Sequence, residues 1–269
     1  MPAVSQALIE FANHYPVQPA PGVEVTVTPR YRIALQPDFP IPGPNSVSFI
    51  RCRPDETDEV IREARAAIAP RHLPVMWTLD PETEPPDFGD HLARHGIHPD
   101  PSGAEVAVMV LSIDATVEAQ EIAGLEIVDG LADLDTFLRA DAVNAKAFKS
   151  NPRGDDPERI AMLERRRLNT LAAGNRRQLL AMVDGEPAGS AGLGLFPPAA
   201  AILNGGAVRP KFRGRGIYHA LVAARLEIAR TGGVDGLCVW SGHMSRPILT
   251  KLGFEKVGWR RFYLDTSTT

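Results

Sequence analysis

The chain has 269 residues, 44% of them hydrophobic and 23% charged, with 29 Lys and Arg against 33 Asp and Glu for a formal net charge of -4. That length accommodates two ordinary domains of roughly 100–200 residues, and the balance excludes a wholly disordered chain. The slight acidity, without a long basic tract, excludes a dedicated nucleic-acid or anionic-membrane binder. Two cysteines, Cys52 and Cys238, with no CxxC and no Cys/His cluster encode neither a disulfide framework nor a metal site. The apolar stretch from Val106 to Ile113 is far short of the roughly 20 residues that cross a bilayer. Met1 to Pro16 lacks the cationic start and apolar run of a targeting segment, so a cytoplasmic location is the expectation.

Prolines at 16, 19, 21, 29, 37, 40, 42 and 44 break any long helix or central strand, so short strands and turns are expected before residue 50. Thr57 or Asp58 can cap a helix with Val60, Ile61, Ala64, Ala67 and Ile68 at helical spacing, stopped by Pro70. Val75 to Leu79 reads as a strand and Phe88 to His95 as a helix ending at Gly96. Ala104 to Ile113 is apolar without alternation, the pattern of a strand buried on both faces. Asp114 to Gly124 is polar and weakly patterned and reads as a linker, which divides the chain into residues 1–120 and 121–269.

The second half has clearer signals. Leu125 to Val128 is a strand and Leu131 to Phe148 a helical region. Asp156, Pro157 and Gly174 frame a further helix as N-cap, first residue and terminator. Gln178 to Val183 and Ala188 to Leu195 flank Asp184-Gly185-Glu186-Pro187, a hairpin with Asp-Gly turn chemistry. Ala199 to Val208 is a strand, Gly216 to Thr231 a helix with Ile217, Leu221, Ala224 and Ile228 on one face, and Gly236 to Trp240 a strand. A short helix from Ile248 to Leu252 and a strand from Arg261 to Leu264 finish the chain. Leu92-Ala93-Arg94-His95-Gly96-Ile97 echoes Leu249-Thr250-Lys251-Leu252-Gly253-Phe254, and each follows a strand with a tryptophan, Trp77 or Trp240, as in a duplication.

The chemistry signal is Val208-Arg209-Pro210-Lys211-Phe212-Arg213-Gly214-Arg215-Gly216-Ile217-Tyr218, two glycines and four cations between a strand and a helix. Glycines there let the backbone turn tightly, and the first N–H groups of the helix are unpaired, which makes an anion socket for a phosphate or pyrophosphate. A P-loop would end in Gly-Lys-Ser/Thr and a dinucleotide fold would carry GxGxxG in its first βα unit; neither is present.

The segment resembles the GNAT superfamily of CoA-dependent N-acyltransferases, whose Arg/Gln-x-x-Gly-x-Gly/Ala motif falls on Arg213-x-x-Gly216-x-Tyr218 after a Val-x-Pro lead-in, Val208-Arg209-Pro210. Tyr218 departs from it, standing where a small residue is usual. Ser241 to Phe254, ending in Leu-Gly-Phe, looks like the far wall of the same cofactor cleft. The resemblance covers about residues 124–265. Residues 20–115 look like a degenerate copy, with the glycine-free, acidic Arg53-Pro54-Asp55-Glu56-Thr57 at the loop-to-helix position. The implied fold is α/β (α+β): two GNAT-like lobes, each a mixed, mostly antiparallel twisted sheet flanked by helices, with a splayed-strand CoA cleft in the C-terminal lobe.

The resemblance implies acetyl-CoA as the cofactor and an acetyl or other acyl group transferred to a primary amine of a small molecule by direct attack in a ternary complex. The alternative is a CoA-binding module without turnover. Implied cofactor contacts are Ala207, Val208, Lys211, Arg213, Gly214, Arg215, Gly216, Ile217, Tyr218 and Arg246. Arg213 and Arg215 suit the diphosphate, Lys211 or Arg209 the outer phosphate, and the N–H groups near Ala207 and Val208 the thioester carbonyl, with Gly205-Gly206 favouring a bulge before them. Leu249 stands where the superfamily often has its tyrosine acid, so Ser245, Ser241 or Tyr218 is left to donate to the sulfur. Candidate bases are His243, Asn204 through a water, Asp141 and Glu164. Arg165-Arg166-Arg167 reads as a solvated face. No metal, nucleic acid or membrane is expected, and a homodimer is left open.

Overall fold

The protein's structure, a computed structural model, describes residues 2–15, 19–147 and 156–267; Phe148, where the sequence places one helix end, lies outside them. Two compact units interleave along the chain. The smaller comprises Tyr15–Val108, Trp240–Arg246 and Lys256–Thr269, and the larger Met1–His14, Met109–Val239 and Pro247–Glu255. Neither unit is a single run of sequence. Each is completed by residues from the other half of the chain.

In chain order, α1 (Gln6–Asn13) belongs to the larger unit and is capped by Ser5, whose side chain accepts from Leu8 N–H. The smaller unit follows with β1 (Glu24–Val27), β2 (Arg32–Leu35), β3 (Ser46–Ser48), α2 (Thr57–Ile68), β4 (Val75–Leu79), α3 (Phe88–Arg94) and β5 (His98–Pro99). Next, β6 (Glu105–Ser112) is buried at every position but the first, the both-faces burial that its unbroken apolar run predicts. The larger unit then takes β7 (Leu125–Asp129), α4 (Leu134–Ala147), α5 (Pro157–Ala173), β8 (Arg176–Val183), β9 (Glu186–Phe196), β10 (Ala200–Val208), α6 (Ile217–Thr231), β11 (Gly236–Ser241) and α7 (Arg246–Lys251). The last strand, β12 (Glu255–Asp265), is longer than its apolar residues alone suggest.

In the smaller unit β1, β2 and β3 pair antiparallel, β3 pairs β4 in parallel, and the C-terminal β12 closes on β4 antiparallel, Arg261 opposite Leu79 through Asp265 opposite Val75. Its core gathers Val60, Ile61, Ala64 and Ile68 of α2 with Trp77, Phe88 and Leu92. Thr57 does not cap α2 with its hydroxyl, which instead donates to Pro54 O at 3.2 Å and lies 2.8 Å from His91 Nδ1. A 3-10 turn, Pro54–Glu56, leads into the helix.

In the larger unit β7, β8, β9 and β10 form an antiparallel meander, and β10 pairs β11 in parallel. Helix α6 buries Ile217 and Leu221 against Leu179, Ala181 and Ala191 on one face of this meander; each such side chain contributes about 1.5–3 kcal/mol. Ala140 and Val143 of α4 pack on the other face with Leu180 and Ala207. The β8–β9 turn is tighter than the four residues expected from the sequence. Asp184 and Gly185 alone form it, at φ +50° and +78°, and Glu186 and Pro187 are already strand residues. Asp156 accepts from Glu158 N–H and Gly174 ends α5 in the left-handed region, as the cap residues predict.

The internal echo is structural. Ile97 N–H donates to Leu92 O at 2.9 Å and Phe254 N–H to Leu249 O at 3.0 Å, over glycines at φ +74° and +91°. These are the same six-to-one helix endings, with Leu92 and Leu249 fully buried in both. Among the described residues no helix is long and apolar enough to cross a membrane.

Candidate functional site

In the larger unit, strands β10 and β11 form a fork. Their parallel register covers Ala201 with Leu237 and Ile202 with Cys238, and among the described residues no further pair joins them. On its other side β10 stays paired with β9 but slips register between Asn204 and Ala207, so Gly205-Gly206 forms a bulge, with Gly205 at φ +52°. Asn204, Gly205 and Gly206 are exposed there. A bulge at a point where one neighbouring strand has departed leaves main-chain groups directed at whatever enters the fork.

Beyond β10, Pro210–Phe212 make a 3-10 turn, and Gly214 and Gly216 follow at φ +75° and +80°. Gly216 is the N-cap of α6 and has no side chain to satisfy the first turn. Among the described residues the N–H groups of residues 214–219 find no main-chain acceptor. Together with the helix dipole they make this end of α6 attractive to an anion. A Cβ on Gly214 would meet nothing within 4 Å, so the loop is open on that side.

The four cations of the loop divide into two pairs. Arg209 Nη1 donates to Glu186 Oε1 at 2.8 Å and Lys211 Nζ to Glu186 Oε2 at 2.6 Å. Hydrogen bonding to Lys211 holds the Glu186 carboxyl below its usual value. Arg213 and Arg215 are exposed; Arg213 makes one contact at 3.2 Å to Val208 O, and Arg215 lies over the Phe212 ring.

Beneath the bulge lies a residue that the sequence reading missed. Arg225, on the buried side of α6, is 1% exposed. Its Nε donates to Leu221 O at 2.9 Å and its Nη1 to Gly192 O at 3.3 Å. Tyr218 folds inward beside it, and its Cε2 lies 3.0 Å from where a Gly206 Cβ would be. Burial pushes Arg225 down to about 10 despite Tyr218, and burial raises Tyr218 despite Arg225. A long cation on a helix ordinarily reads as solvated, so no pattern in the sequence marks it.

Residues 142–254 match the acetyltransferase (GNAT) family. This part of the chain is similar to the GNAT acetyltransferases. No curated protein matches the chain. Solved structures share its fold at low identity. A GCN5-related N-acetyltransferase from Kribbella flavida is 16% identical with TM-score 0.64, covering 91% of this chain and 90% of that one. A tandem GNAT protein from the clavulanic acid biosynthesis pathway is 19% identical with TM-score 0.60, covering 92% and 84%. A GCN5-related N-acetyltransferase from Sphaerobacter thermophilus is 17% identical with TM-score 0.59, covering 89% and 81%. The two-lobe GNAT fold, a mixed open sheet flanked by helices, therefore extends over about nine-tenths of the chain.

Ala207, Val208, Lys211, Arg213, Gly214, Arg215, Gly216, Ile217 and Tyr218 all fall on the stretch from the end of β10 to the start of α6, in the larger unit. The catalytic candidates are divided between the two units. Asn204 opens the bulge, exposed, beside Gly192 and Gly194, whereas His243, Ser245 and Arg246 fall in the segment Trp240–Arg246 of the smaller unit. His243 is exposed on the turn before α7, and Ser245 Oγ donates to Gly242 O at 3.4 Å. Ser241 is fully buried and donates to Ala107 O at 3.4 Å, which removes it as a sulfur donor.

Asp141 and Glu164 are not free bases. Asp141 is clamped by Arg159 at 2.6 Å and Arg166 at 2.5 Å, and Glu164 is bidentate with Arg167, whose hydrogen bonds hold it below the usual range. The arginine run of α5 is a solvated face only in part: Arg165 is exposed, whereas Arg166 and Arg167 turn to these partners, Arg167 also reaching Leu131 O. On the α4 side of the sheet the structure adds an uncharged polar patch that the sequence did not suggest. Gln178 Nε2 donates to the buried Ser190 Oγ at 2.6 Å, and Asn144 Nδ2 reaches the same oxygen at 3.4 Å.

Proposed function

We propose that the protein transfers an acyl group, acetyl in the simplest case, from acyl-CoA to a primary amine of a small molecule by direct attack in a ternary complex. The observation that carries this reading is the open fork, with the bulge of β10 at its side and the bare N-terminus of α6 at its mouth. These residues fit CoA: the N–H groups of residues 214–219 and the exposed Arg213 and Arg215 suit a diphosphate, and glycine at 214 and 216 admits it. Bound CoA supplies the activated thioester. Main-chain N–H groups at Ala207 and Val208 would polarise its carbonyl. Asn204, exposed at the bulge, orients a water that takes up the amine's proton. The uncharged patch of Gln178, Ser190 and Asn144 suits a neutral amine rather than a phosphorylated or carboxylated one.

Purified protein with acetyl-CoA and a panel of small amines should release free thiol. No release across the panel, with CoA still bound tightly, would favour the second reading, a CoA-binding module without turnover. The observation on that side is Leu249, fully buried and without a hydroxyl where a sulfur acid would stand.

A further inference from the structure

Arg225 is a charge in a place that charges avoid. Its guanidinium is walled by α6 itself, by the main chain of β9 at Gly192 and by the main chain of β10 at Gly206. Nη2 is buried with no hydrogen-bond partner in the protein, 3.6 Å from where a Cβ on Gly206 would sit. Among the described residues the titratable group facing it is the Tyr218 phenol, and no carboxylate neutralises it. An apolar side chain of similar length would fill the space at less cost in desolvation, so stability does not account for the cation. Gly192 and Gly206 carry no side chains, so only a strip of backbone separates the guanidinium from the exposed outer side of the bulge.

We propose that Arg225 stabilises the negative charge that gathers on the thioester during transfer, chiefly on the departing sulfur, from behind the Gly205-Gly206 bulge. The proposal rests on the acyl-CoA reading above. In the step concerned, the amine nitrogen bonds to the acyl carbon, the carbon–sulfur bond breaks with its electron pair left on sulfur, and the amine's proton passes to solvent through the water that Asn204 orients. A buried cation facing that pair lowers the need for a proton donor, the donor that Leu249 cannot be. Arg225 acts here as a positioning residue, because the backbone of the bulge lies between it and the reacting atoms.

The test compares CoA, whose thiol ionises, with acetyl-CoA, whose sulfur cannot. By calorimetry, raising the pH from about 7 to about 9 should tighten binding of CoA to the native protein roughly fivefold or more relative to acetyl-CoA. R225M, uncharged and of similar length, should bind both ligands within about threefold of native at pH 7 and lose the differential pH response, while R225K keeps part of it. Thiol release by R225M should fall about 30-fold or more in kcat with little change in KM. A native protein that shows no differential response overturns the proposal, as does an R225M protein that retains it. Equal loss of affinity for both ligands in R225M, with a lowered melting temperature, would make Arg225 a structural brace and also overturn it. If R225M fails to fold, the native comparison and R225K still decide. Native protein that binds neither ligand would instead refute the acyl-CoA reading itself.

Discussion

The forks of the two units begin alike and end differently. Each starts with two registered parallel pairs, Ser46 with Met76 and Val47 with Trp77 in the smaller unit, Ala201 with Leu237 and Ile202 with Cys238 in the larger. In the smaller unit the chain beyond β4 then rejoins the chain beyond β3. Arg51 bridges Glu84, Glu84 N–H donates to Ile50 O at 3.1 Å, and Cys52 N–H donates to Glu84 O at 3.1 Å. The start of α2 carries its own anions in Asp55, Glu56, Asp58 and Glu59, and Glu56 accepts from Arg53 N–H at 2.9 Å. In the larger unit the equivalent opening carries a glycine bulge, two left-handed glycines and bare N–H groups. The same backbone plan is thus closed by its own peptide and carboxylates in one unit and left open in the other.

The largest way to break this contrast is to give the open copy an anion of its own. Gly216→Glu should weaken CoA binding by more than about 100-fold, since it displaces at least two charge-assisted hydrogen bonds of about 1.5–3 kcal/mol each. Gly216→Ala separates strain from charge: it suffers the left-handed φ of +80° but adds no carboxylate, and a Cβ there meets only Ile122 at 3.5 Å. Calorimetry with CoA on folded variants checks both. Unchanged affinity in the glutamate variant would remove the socket.

The second contrast is a likeness, and it concerns stability. Leu92 and Leu249 hold the same place in the same helix ending, each fully buried. Truncation of either to alanine should cost about 2–5 kcal/mol in denaturant unfolding. If one variant lost less than about 1 kcal/mol, the two helix ends would not be equivalent parts of the two copies.

What was legible in the sequence was local. Asp156, Pro157 and Gly174 bracket α5 because caps act within a few residues, and Asp184-Gly185 marks its hairpin because few residues accept two positive φ angles. The loop from Val208 to Tyr218 was legible for the same reason. Helix α1 was not, since it is one short helix with only Leu8 and Ala12 buried. Strand exchange between the halves left no sign either, because the pairing of β12 with β4 joins residues almost 190 positions apart and neither strand's own pattern names its neighbour. The same holds for charged side chains: Arg225 and Arg166 look solvated, and Asp141 looks like an available base, until tertiary packing brings their partners to them.

A smaller effect is expected from pH in the unit that holds no socket. Arg65 Nε lies 2.8 Å from Asp265 Oδ2, and Ser267 Oγ donates to Oδ1 at 2.6 Å. Burial alone would raise the Asp265 carboxyl, but these hydrogen bonds outweigh it and hold it below its usual range. A depressed carboxyl contributes stability that is fully present above its unfolded value of about 4 and is lost as the pH falls through its lower folded value. Arg65→Met should therefore lower stability by about 1–3 kcal/mol at neutral pH, and much less near pH 2. A difference that persisted undiminished into acid would assign the effect to lost packing of the arginine stem.

The smallest effect tests the closed fork itself. Arg51 Nη2 lies 3.1 Å from both Asp80 and Glu82 and ties the segment beyond β4 to the segment beyond β3. Asp80, though buried, keeps other partners, since its Oδ1 accepts from Glu82 N–H at 2.9 Å and Arg260 adds favourable charge nearby. Arg51→Met should accordingly cost only about 1 kcal/mol, measured by denaturant unfolding. The backbone bonds of Glu84 to Ile50 and Cys52 remain, so, on the acyl-CoA reading, calorimetry should find no more CoA bound to the variant than to the native protein. Additional CoA bound to the variant would show that one ion pair, rather than the rejoined main chain and the acidic start of α2, closes this fork.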